Sequence, residues 1–276
     1  MPELPEVEYA RESLARWMKG KRIERATATP GKPLRGTTPA DVARLQGRRT
    51  EKIERFGKHL LWTLDGGAGI HLHLGMTGKL LWRKAGEAAP PFERVRFELP
   101  GGAVSFADPR RFGRFEIVPA RKLRELPDVA ELGPDALDAP LDGAALAAAL
   151  GKTRRPLKLA LMDQSLLAGL GNIQAAESLW RARLSPFAKP QDLSGAEWKA
   201  LARGIQEALH YAVDHESPKG GRDIAYVEEP GAENPFLVYG RKGEPCRRCR
   251  TPIAQEVQGQ RSTYYCPSCQ AEQARG

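Results

Sequence analysis

The chain begins MPELPEV, so a proline and two carboxylates come before any regular element is expected. If Met1 is removed after synthesis, Pro2 presents a secondary α-amine, which titrates near ~8 and is partly unprotonated at neutral pH. Such an amine can add to an aldehyde carbon and form an iminium ion, with Glu3 beside it to move protons. A polar lead-in to a helix, with Pro5 in its first turn, explains the same residues, and this stretch alone favours that simpler explanation.

All four cysteines lie in the pairs CRRC (246–249) and CPSC (266–269). Two CxxC turns can supply four thiolates to one tetrahedral zinc ion, and four protein ligands leave no open position for a substrate. An iron–sulfur centre and a disulfide framework are the alternatives, and disulfides are rare in a cytoplasmic chain. We therefore predict one structural zinc ion, with the ligands Cys246, Cys249, Cys266 and Cys269.

Positive charge dominates the chain, with a formal net charge of +9 and clusters within 110–114, 152–158 and 247–250. Lys and Arg that neutralise phosphates release condensed counterions, so this charge suggests a polyanionic partner, and a solvated basic surface explains it equally well. Between the cysteine pairs, VQGQRSTYYC predicts a hairpin with Arg261 at its tip. We expect this basic tip to grip a phosphate backbone.

A glycine-rich junction, GLGN at 169–172, predicts a sharp turn into a new helix that begins at Asn172. The free NH groups of a helix N-terminus suit a phosphate. Close helix packing is the alternative use of these glycines, and the spacing does not match the dinucleotide-binding fingerprint.

The elements that position these residues follow from hydrophobic patterning. After a helix at 5–19, short runs such as HLLWTL (59–64), separated by glycine turns, predict the strands of an antiparallel sandwich or barrel. The predicted segments are a sandwich at 1–120, a linker at 121–140, a helical domain at 141–215, a loop at 216–236 and a finger at 237–276.

Location follows from what the sequence lacks. No apolar run approaches the ~20 residues of a membrane span, and the start has neither the charge nor the apolar stretch of a signal peptide. We therefore expect a cytoplasmic protein.

Five motifs occur in a fixed order: MPELPEVE, HLGMTG (73–78), DPRRFG (108–113), GLGNI (169–173) and QRSTYYCPSC (260–269). Together they resemble the formamidopyrimidine-DNA glycosylases, base-excision repair enzymes related to endonuclease VIII. The resemblance implies an α+β multidomain fold with an N-terminal β-sandwich, a helix–two-turns–helix domain and a four-cysteine zinc finger. It implies a monomeric bifunctional glycosylase and AP lyase on double-stranded DNA, bacterial and nucleoid-associated when acting.

The resemblance also assigns roles to the catalytic residues. Pro2 is implied to be the nucleophile at C1′ of the damaged nucleotide, and Glu3 the acid that assists sugar opening and base loss. Lys58, in RFGKHLL, matches a lysine implicated in proton transfer. Arg261 matches the finger arginine linked to the final elimination, and Glu6 matches a helper carboxylate.

Residues that contact DNA are implied in the same way. Met76, Arg110 and Phe112 match the wedge that replaces a flipped nucleotide, although core packing is the ordinary use of Met76 and Phe112. The implied phosphate contacts are His73, Arg154, Asn172 and Arg261, with Arg155 an alternative to Arg154.

Three places depart from the family's pattern: PPFERVRF at 90–97 lacks histidines, Gln174 replaces a tyrosine, and the loop at 216–236 is atypical. The family's loop folds over the flipped base, so these departures leave lesion choice open. ELPE at the start resembles the formamidopyrimidine branch more than endonuclease VIII, and this resemblance implies excision of 8-oxoguanine and formamidopyrimidines. An oxidised-pyrimidine glycosylase and a non-catalytic DNA-binding protein are the alternatives.

Overall fold

The computed structural model describes residues 2–216, 224, 226, 229, 231 and 233–271. The chain forms two compact units, the first made of Met1–Ala130 and Ser217–Pro230, the second of Glu131–Glu216 and Gly231–Gly276. Most of the predicted loop at 216–236 lies outside the described residues, and the finer division into five segments stays a prediction. Among the residues described, no helix combines the length and apolar character needed to cross a bilayer.

Within its described residues, the first unit contains one long α-helix, two short α-helices and eight strands. The helices are α1 (Leu4–Met18), α2 (Pro39–Ala43) and α3 (Pro127–Ala130). The strands are β1 (Arg25–Ala28), β2 (Thr50–Phe56), β3 (His59–Leu64), β4 (Ala68–His73), β5 (Lys79–Lys84), β6 (Glu93–Leu99), β7 (Gly102–Ala107) and β8 (Arg114–Pro119).

These strands form two antiparallel sheets, with strand orders β1-β6-β7-β5 and β2-β3-β4-β8. Alternate residues of both sheets point into one apolar core, where Trp62 meets Phe97 edge-on at 5.1 Å between ring centroids. Leu14 and Met18 of α1 join the same core. The short runs predict a sandwich or a barrel, and the sandwich implied by the family resemblance is confirmed. Strand β3 has the predicted bounds 59–64.

A two-residue loop, Gly57 and Lys58, joins β2 to β3 and leaves Phe56 paired with His59. Gly57 has a φ of 56°, the positive value that a type II′ turn requires at its first position. Lys58 therefore lies at the tip of a tight hairpin, and the pairing of β2 with β3 fixes the register of the residues on either side of it.

The second unit is helical and ends in a hairpin. Its elements are α4 (Gly143–Leu150), α5 (Leu157–Leu161), α6 (Asn172–Ala182), α7 (Gly195–Glu216), β9 (Ala254–Gln258) and β10 (Arg261–Tyr265). The helix predicted to start at Asn172 does start there, and the predicted finger hairpin is present with Arg261 opposite Gln258.

A buried carboxylate ties the chain before the finger to α6. Glu177 is 1% exposed, and its side chain accepts hydrogen bonds from the backbone N–H groups of Leu237, Val238 and Tyr239. It also pairs with Arg181 at 2.8 Å. A single anion thus satisfies several buried donors at once.

Replacing Glu177 with Ala should lower the free energy of unfolding by about 3–5 kcal/mol, because it strands a buried arginine and three backbone donors. Urea denaturation measures this loss. Exposed Glu207 on α7 is the control, and Glu207→Ala should change stability by less than about 0.5 kcal/mol. Equal stability of the two variants would contradict the role of Glu177.

Candidate active site and nucleic-acid interface

The start of α1 gathers the residues that the opening stretch predicted to do chemistry. Glu3 is the N-cap of α1, and its backbone N–H donates to Oε2 of Glu6 at 3.0 Å in a capping box. Both carboxyl side chains belong to buried residues, with Glu3 1% and Glu6 4% exposed. Pro2, also buried, immediately precedes them, so the structure brings Pro2, Glu3 and Glu6 together.

Burial, with the negative charge of Glu3 as a second cause, raises the pKa of Glu6 from 4.5 to about 7. Glu6 can therefore hold or release a proton near neutral pH. Sequence reasoning gave Glu6 only a helper's part. The available signal was its position three residues after the N-cap, which places two carboxylates in one turn.

A buried arginine connects α1 to the hairpin that carries Lys58. Arg55 donates from Nε to Oε2 of Glu8 at 2.9 Å and from Nη1 to the carbonyl of Gly57 at 3.0 Å. Lys58 is half-buried at the tip of this hairpin. Sequence reasoning missed Arg55, because nothing in its local pattern distinguishes it from an exposed strand arginine.

His73, at the end of β4, is a neutral donor. Its Nδ1 accepts the backbone N–H of Gly75 at 3.1 Å, so the proton of the neutral ring sits on Nε2. Burial lowers the pKa of His73 to about 4, and the nearby His71 and Lys58 act in the same direction. At neutral pH the ring can donate a hydrogen bond to a phosphate without carrying a charge.

The two loops that carry the implied wedge residues are in backbone contact. A Cβ on Gly75 would lie 2.5 Å from the backbone of Phe112, so only glycine allows this approach. Asp108, fully buried, bonds Thr77 Oγ1 at 2.8 Å and the N–H of Gly113 at 2.8 Å. Sequence reasoning missed this anchor, although DPRRFG contains it.

Met76 and Phe112 are 36% and 43% exposed, so neither packs in the core. The guanidinium of Arg110 lies 4.9 Å from the centre of the Phe112 ring. An exposed aromatic ring, an exposed thioether and a cation therefore sit on adjoining loops, a composition that suits contact with bases.

In the second unit, the start of α6 meets the finger hairpin. Asn172 donates from Nδ2 to the carbonyl of Ser262 at 3.0 Å, which fixes the strand that begins with exposed Arg261. Lys158, fully buried, donates to the same carbonyl at 3.0 Å and to Thr263 Oγ1 at 2.8 Å. The structure thus brings Asn172 to the strand of Arg261, and Lys158 holds the same strand. In the sequence Lys158 stands out only as part of a basic cluster, whereas the structure buries it.

Arg154 and Arg155 differ in their surroundings. Arg155 forms an ion pair with Asp163 at 2.7 Å, whereas Arg154 is exposed and forms no ion pair with any described residue. Of the two, Arg154 keeps its charge available to a phosphate.

The four cysteine Sγ atoms lie within 4.8 Å of one another. Cys246 and Cys269 are 4.0 Å apart and Cys249 and Cys266 are 3.4 Å apart, close to the ~3.8 Å between thiolates on a tetrahedral zinc. The N–H of Arg248 points at Cys246 Sγ, and such donors favour the thiolate form. These residues fit one structural zinc ion, which would hold the finger together.

Comparison with known proteins covers nearly the whole chain. Residues 1–115 match the formamidopyrimidine-DNA glycosylase N-terminal domain, residues 132–221 the formamidopyrimidine-DNA glycosylase H2TH domain, and residues 243–271 the zinc finger found in FPG and IleRS. The three matched regions have the predicted order of sandwich, helical domain and finger.

Full-length relatives agree with these domain matches. A formamidopyrimidine-DNA glycosylase of Thermus thermophilus is 38% identical over 279 residues, which cover 99% of each chain. The Gluconobacter oxydans enzyme of the same name is 39% identical, covering 98% of this chain and all of its own.

Solved structures agree as well. The MutM (FPG) protein of Thermus thermophilus aligns with a TM-score of 0.82 at 36% identity, covering 99% of this chain and 100% of its own. Wild-type Lactococcus lactis FPG, solved with oxidized pyrimidine containing DNA, aligns with a TM-score of 0.87 at 28% identity, covering 98% and 100%. The chain therefore belongs to the formamidopyrimidine-DNA glycosylase family, whose members are DNA glycosylases with AP lyase activity.

Proposed function

We propose that this glycosylase excises oxidised purines, 8-oxoguanine and formamidopyrimidines, from double-stranded DNA and then cleaves the strand by β,δ-elimination. The observation that carries the proposal is the capping box at the start of α1. It places the buried carboxyl groups of Glu3 and Glu6 in the turn that follows Pro2, and the pKa of Glu6 is about 7. A nucleophilic amine and a proton carrier that works near neutral pH are what base excision through an iminium ion requires.

The first step is attack of the Pro2 amine on C1′ once Met1 has been removed. The N–C1′ bond forms as the amine N–H proton passes to the carboxylate of Glu3, and the bond from C1′ to the base breaks, with a proton delivered to the leaving base. Lys58 supplies that proton from its hairpin, and Glu3 protonates the ring oxygen as the sugar opens. Glu6 returns protons to Glu3 and holds the N-terminal turn through its hydrogen bond.

The second step uses the iminium ion as an electron sink. The cation acidifies a C2′ proton, whose loss expels the 3′ phosphate, and a further elimination expels the 5′ phosphate. Each departing phosphate carries negative charge, which Arg261 can stabilise. Lys158 and Asn172 act through the carbonyl of Ser262 to keep the Arg261 strand in place.

Access to C1′ requires the damaged nucleotide to leave the base stack, at a cost of a few kcal/mol. Met76 and Phe112 would fill the space left in the duplex, and Arg110 would bond the unpaired base on the other strand. His73, Arg154 and Asn172 would contact phosphates and fix the register of the protein on the DNA.

A second candidate function is excision of oxidised pyrimidines. The Lactococcus lactis relative solved with oxidized pyrimidine containing DNA favours testing it, since that FPG accommodates such DNA. In either case we infer a bacterial enzyme that acts on the nucleoid in the cytoplasm.

Borohydride reduction of the iminium tests the proposal. With duplexes that contain 8-oxoguanine or thymine glycol, we expect a covalent adduct at Pro2 and faster trapping with 8-oxoguanine. Pro2→Gly should keep DNA binding but lower trapping at least about tenfold, because the secondary amine is gone. Pro39→Ala is the control, since Pro39 opens α2 behind another capping box. Undiminished trapping by Pro2→Gly, or no adduct with any lesion, would overturn the proposal.

Stability should depend on pH through Glu6. Its pKa is raised in the folded state, so its contribution to stability is complete below pH 4.5 and is lost as pH rises through about 7. Glu6→Gln removes this loss. The variant should therefore gain about 2–3 kcal/mol over the wild type between about pH 5 and pH 8 in urea denaturation.

Exposed Glu12 lies on the same helix and serves as the control, since Glu12→Gln should show no such pH-dependent gain. A difference between Glu6→Gln and wild type that stays constant with pH would show that Glu6 titrates normally.

Removal of zinc should unfold the finger and weaken DNA binding at least about tenfold, because the ion holds the hairpin that presents Arg261. Dialysis against a chelator, with metal analysis and titration of an abasic-site duplex, measures both effects. Restoring zinc should restore affinity. Full affinity after complete metal loss would contradict a role for the finger.

A further inference from the structure

Three of the five histidines lie side by side on one face of the β2-β3-β4-β8 sheet. His59 begins β3 directly after Lys58, and His71 and His73 lie on β4, where His73 is the register partner of His59. Side chains two apart on a strand share a face, so the three rings adjoin. His59 is 4.8 Å from His73 and 5.1 Å from His71 between ring centroids.

His59 and His71 share one hydrogen bond, 2.8 Å long between His59 Nδ1 and His71 Nε2. Nδ1 of His71 is buried without a hydrogen bond to any described residue and lies 3.8 Å from Oε2 of Glu116. A ring nitrogen that faces a carboxylate is favoured in its protonated form. The proton of neutral His71 is therefore on Nδ1, and His59 Nδ1 donates to His71 Nε2.

The pair is kept neutral by its surroundings. Burial is the largest cause, lowering the pKa of His59 to about 2 and that of His71 to about 4. Leu61, opposite His71 in the strand pairing, helps exclude water in a small apolar cluster with Leu123 and Val129. The charged or titratable groups that face the pair are Lys58, His73, Arg114, Arg35, Asp128 and Glu116.

We propose that His59 and His71 are positioning residues, a neutral imidazole clamp that holds the hairpin tip with Lys58 and the ring of His73 in the geometry required for base excision. The proposal rests on the proposed roles of Lys58 and His73. The hydrogen bond of the clamp joins β3 to β4 at the end of the sheet where Lys58 and His73 lie. It therefore fixes the position of the first residue of β3, which Lys58 directly precedes.

Protonation would open the clamp. Protonation of His71 at Nε2 removes the acceptor that the His59 Nδ1–H uses in the neutral pair, and it adds positive charge beside Lys58 and Arg114. The folded-state pKa values lie below the ordinary 6.5, so stability is complete above pH 6.5 and is lost as pH falls towards about 4. Base excision should fall over the lower part of this range.

Single-turnover rates test the clamp on an 8-oxoguanine duplex and on a preformed abasic site, which needs no base departure. His71→Leu should lower the rate of excision about tenfold at neutral pH, with KM and abasic-site cleavage within about threefold of wild type. The double variant His59→Asn/His71→Gln keeps a neutral hydrogen bond. It should excise within about threefold of wild type at neutral pH and show a smaller decline near pH 4, where His73 still titrates. His210→Leu, at an exposed histidine on α7, should change neither rate.

Nitrogen NMR of the histidines tests the same clamp without activity. In the wild type, His59 should carry its proton on Nδ1, and the Lys58 backbone amide should shift as the pair titrates. In the double variant the Lys58 shift should vanish. Wild-type excision by His71→Leu, an unchanged acid decline in the double variant, or a Lys58 amide indifferent to the pair would overturn the proposal. A wild type that excises no lesion would instead overturn the proposed function, and the NMR result would still decide on the clamp.

Discussion

The hydrogen bond from the N–H of Glu3 to the carboxylate of Glu6 is the constraint on which the N-terminal turn, with the proposed nucleophile Pro2, depends. A helix leaves its first N–H groups without partners, and here a side chain of the same turn supplies one. Because that partner is a buried carboxylate beside a second one, its own pKa rises to about 7. The hydrogen bond thus fixes the backbone next to Pro2, while burial of Glu6 raises its pKa, at a cost in stability that grows as pH rises from 4.5 to about 7.

The same helix determines where Lys58 stands. Glu8, one turn along α1, bonds the buried guanidinium of Arg55, which in turn bonds the carbonyl of Gly57. A buried charge is tolerable only when it is paired and hydrogen-bonded. Arg55 meets that condition through the carboxylate of Glu8 and the carbonyl of Gly57. Helix α1 therefore carries the carboxylates and also anchors the hairpin tip. The positions of Pro2 and Lys58 are both fixed relative to this one helix.

Local patterning was enough to predict the strand at 59–64, the helix start at Asn172 and the four-thiolate site, because each depends on spacing within a few residues. The family motifs then supplied the sandwich. The burial of Arg55 and Lys158 was not predictable, because their side-chain partners Glu8 and Thr263 lie 47 and 105 residues away in the sequence. Met76 and Phe112 have core-like side chains, and only the fold, which puts them on adjoining loops, explains their exposure.

The same physical arrangement occurs in both units. Buried polar side chains hold a segment of backbone in place, and that backbone carries an exposed side chain. Asp108 bonds both wedge loops while Phe112 stays exposed, and Lys158 bonds the strand of Arg261 while Arg261 stays exposed. Binding DNA orders side chains at a cost in entropy, so a backbone already fixed reduces what must be ordered. The buried Asp108 and Lys158 cost desolvation in the free protein, and their hydrogen bonds offset that cost before any DNA arrives. Phe112 and Arg261 are therefore separable by mutation from Asp108 and Lys158, which hold the backbone that carries them.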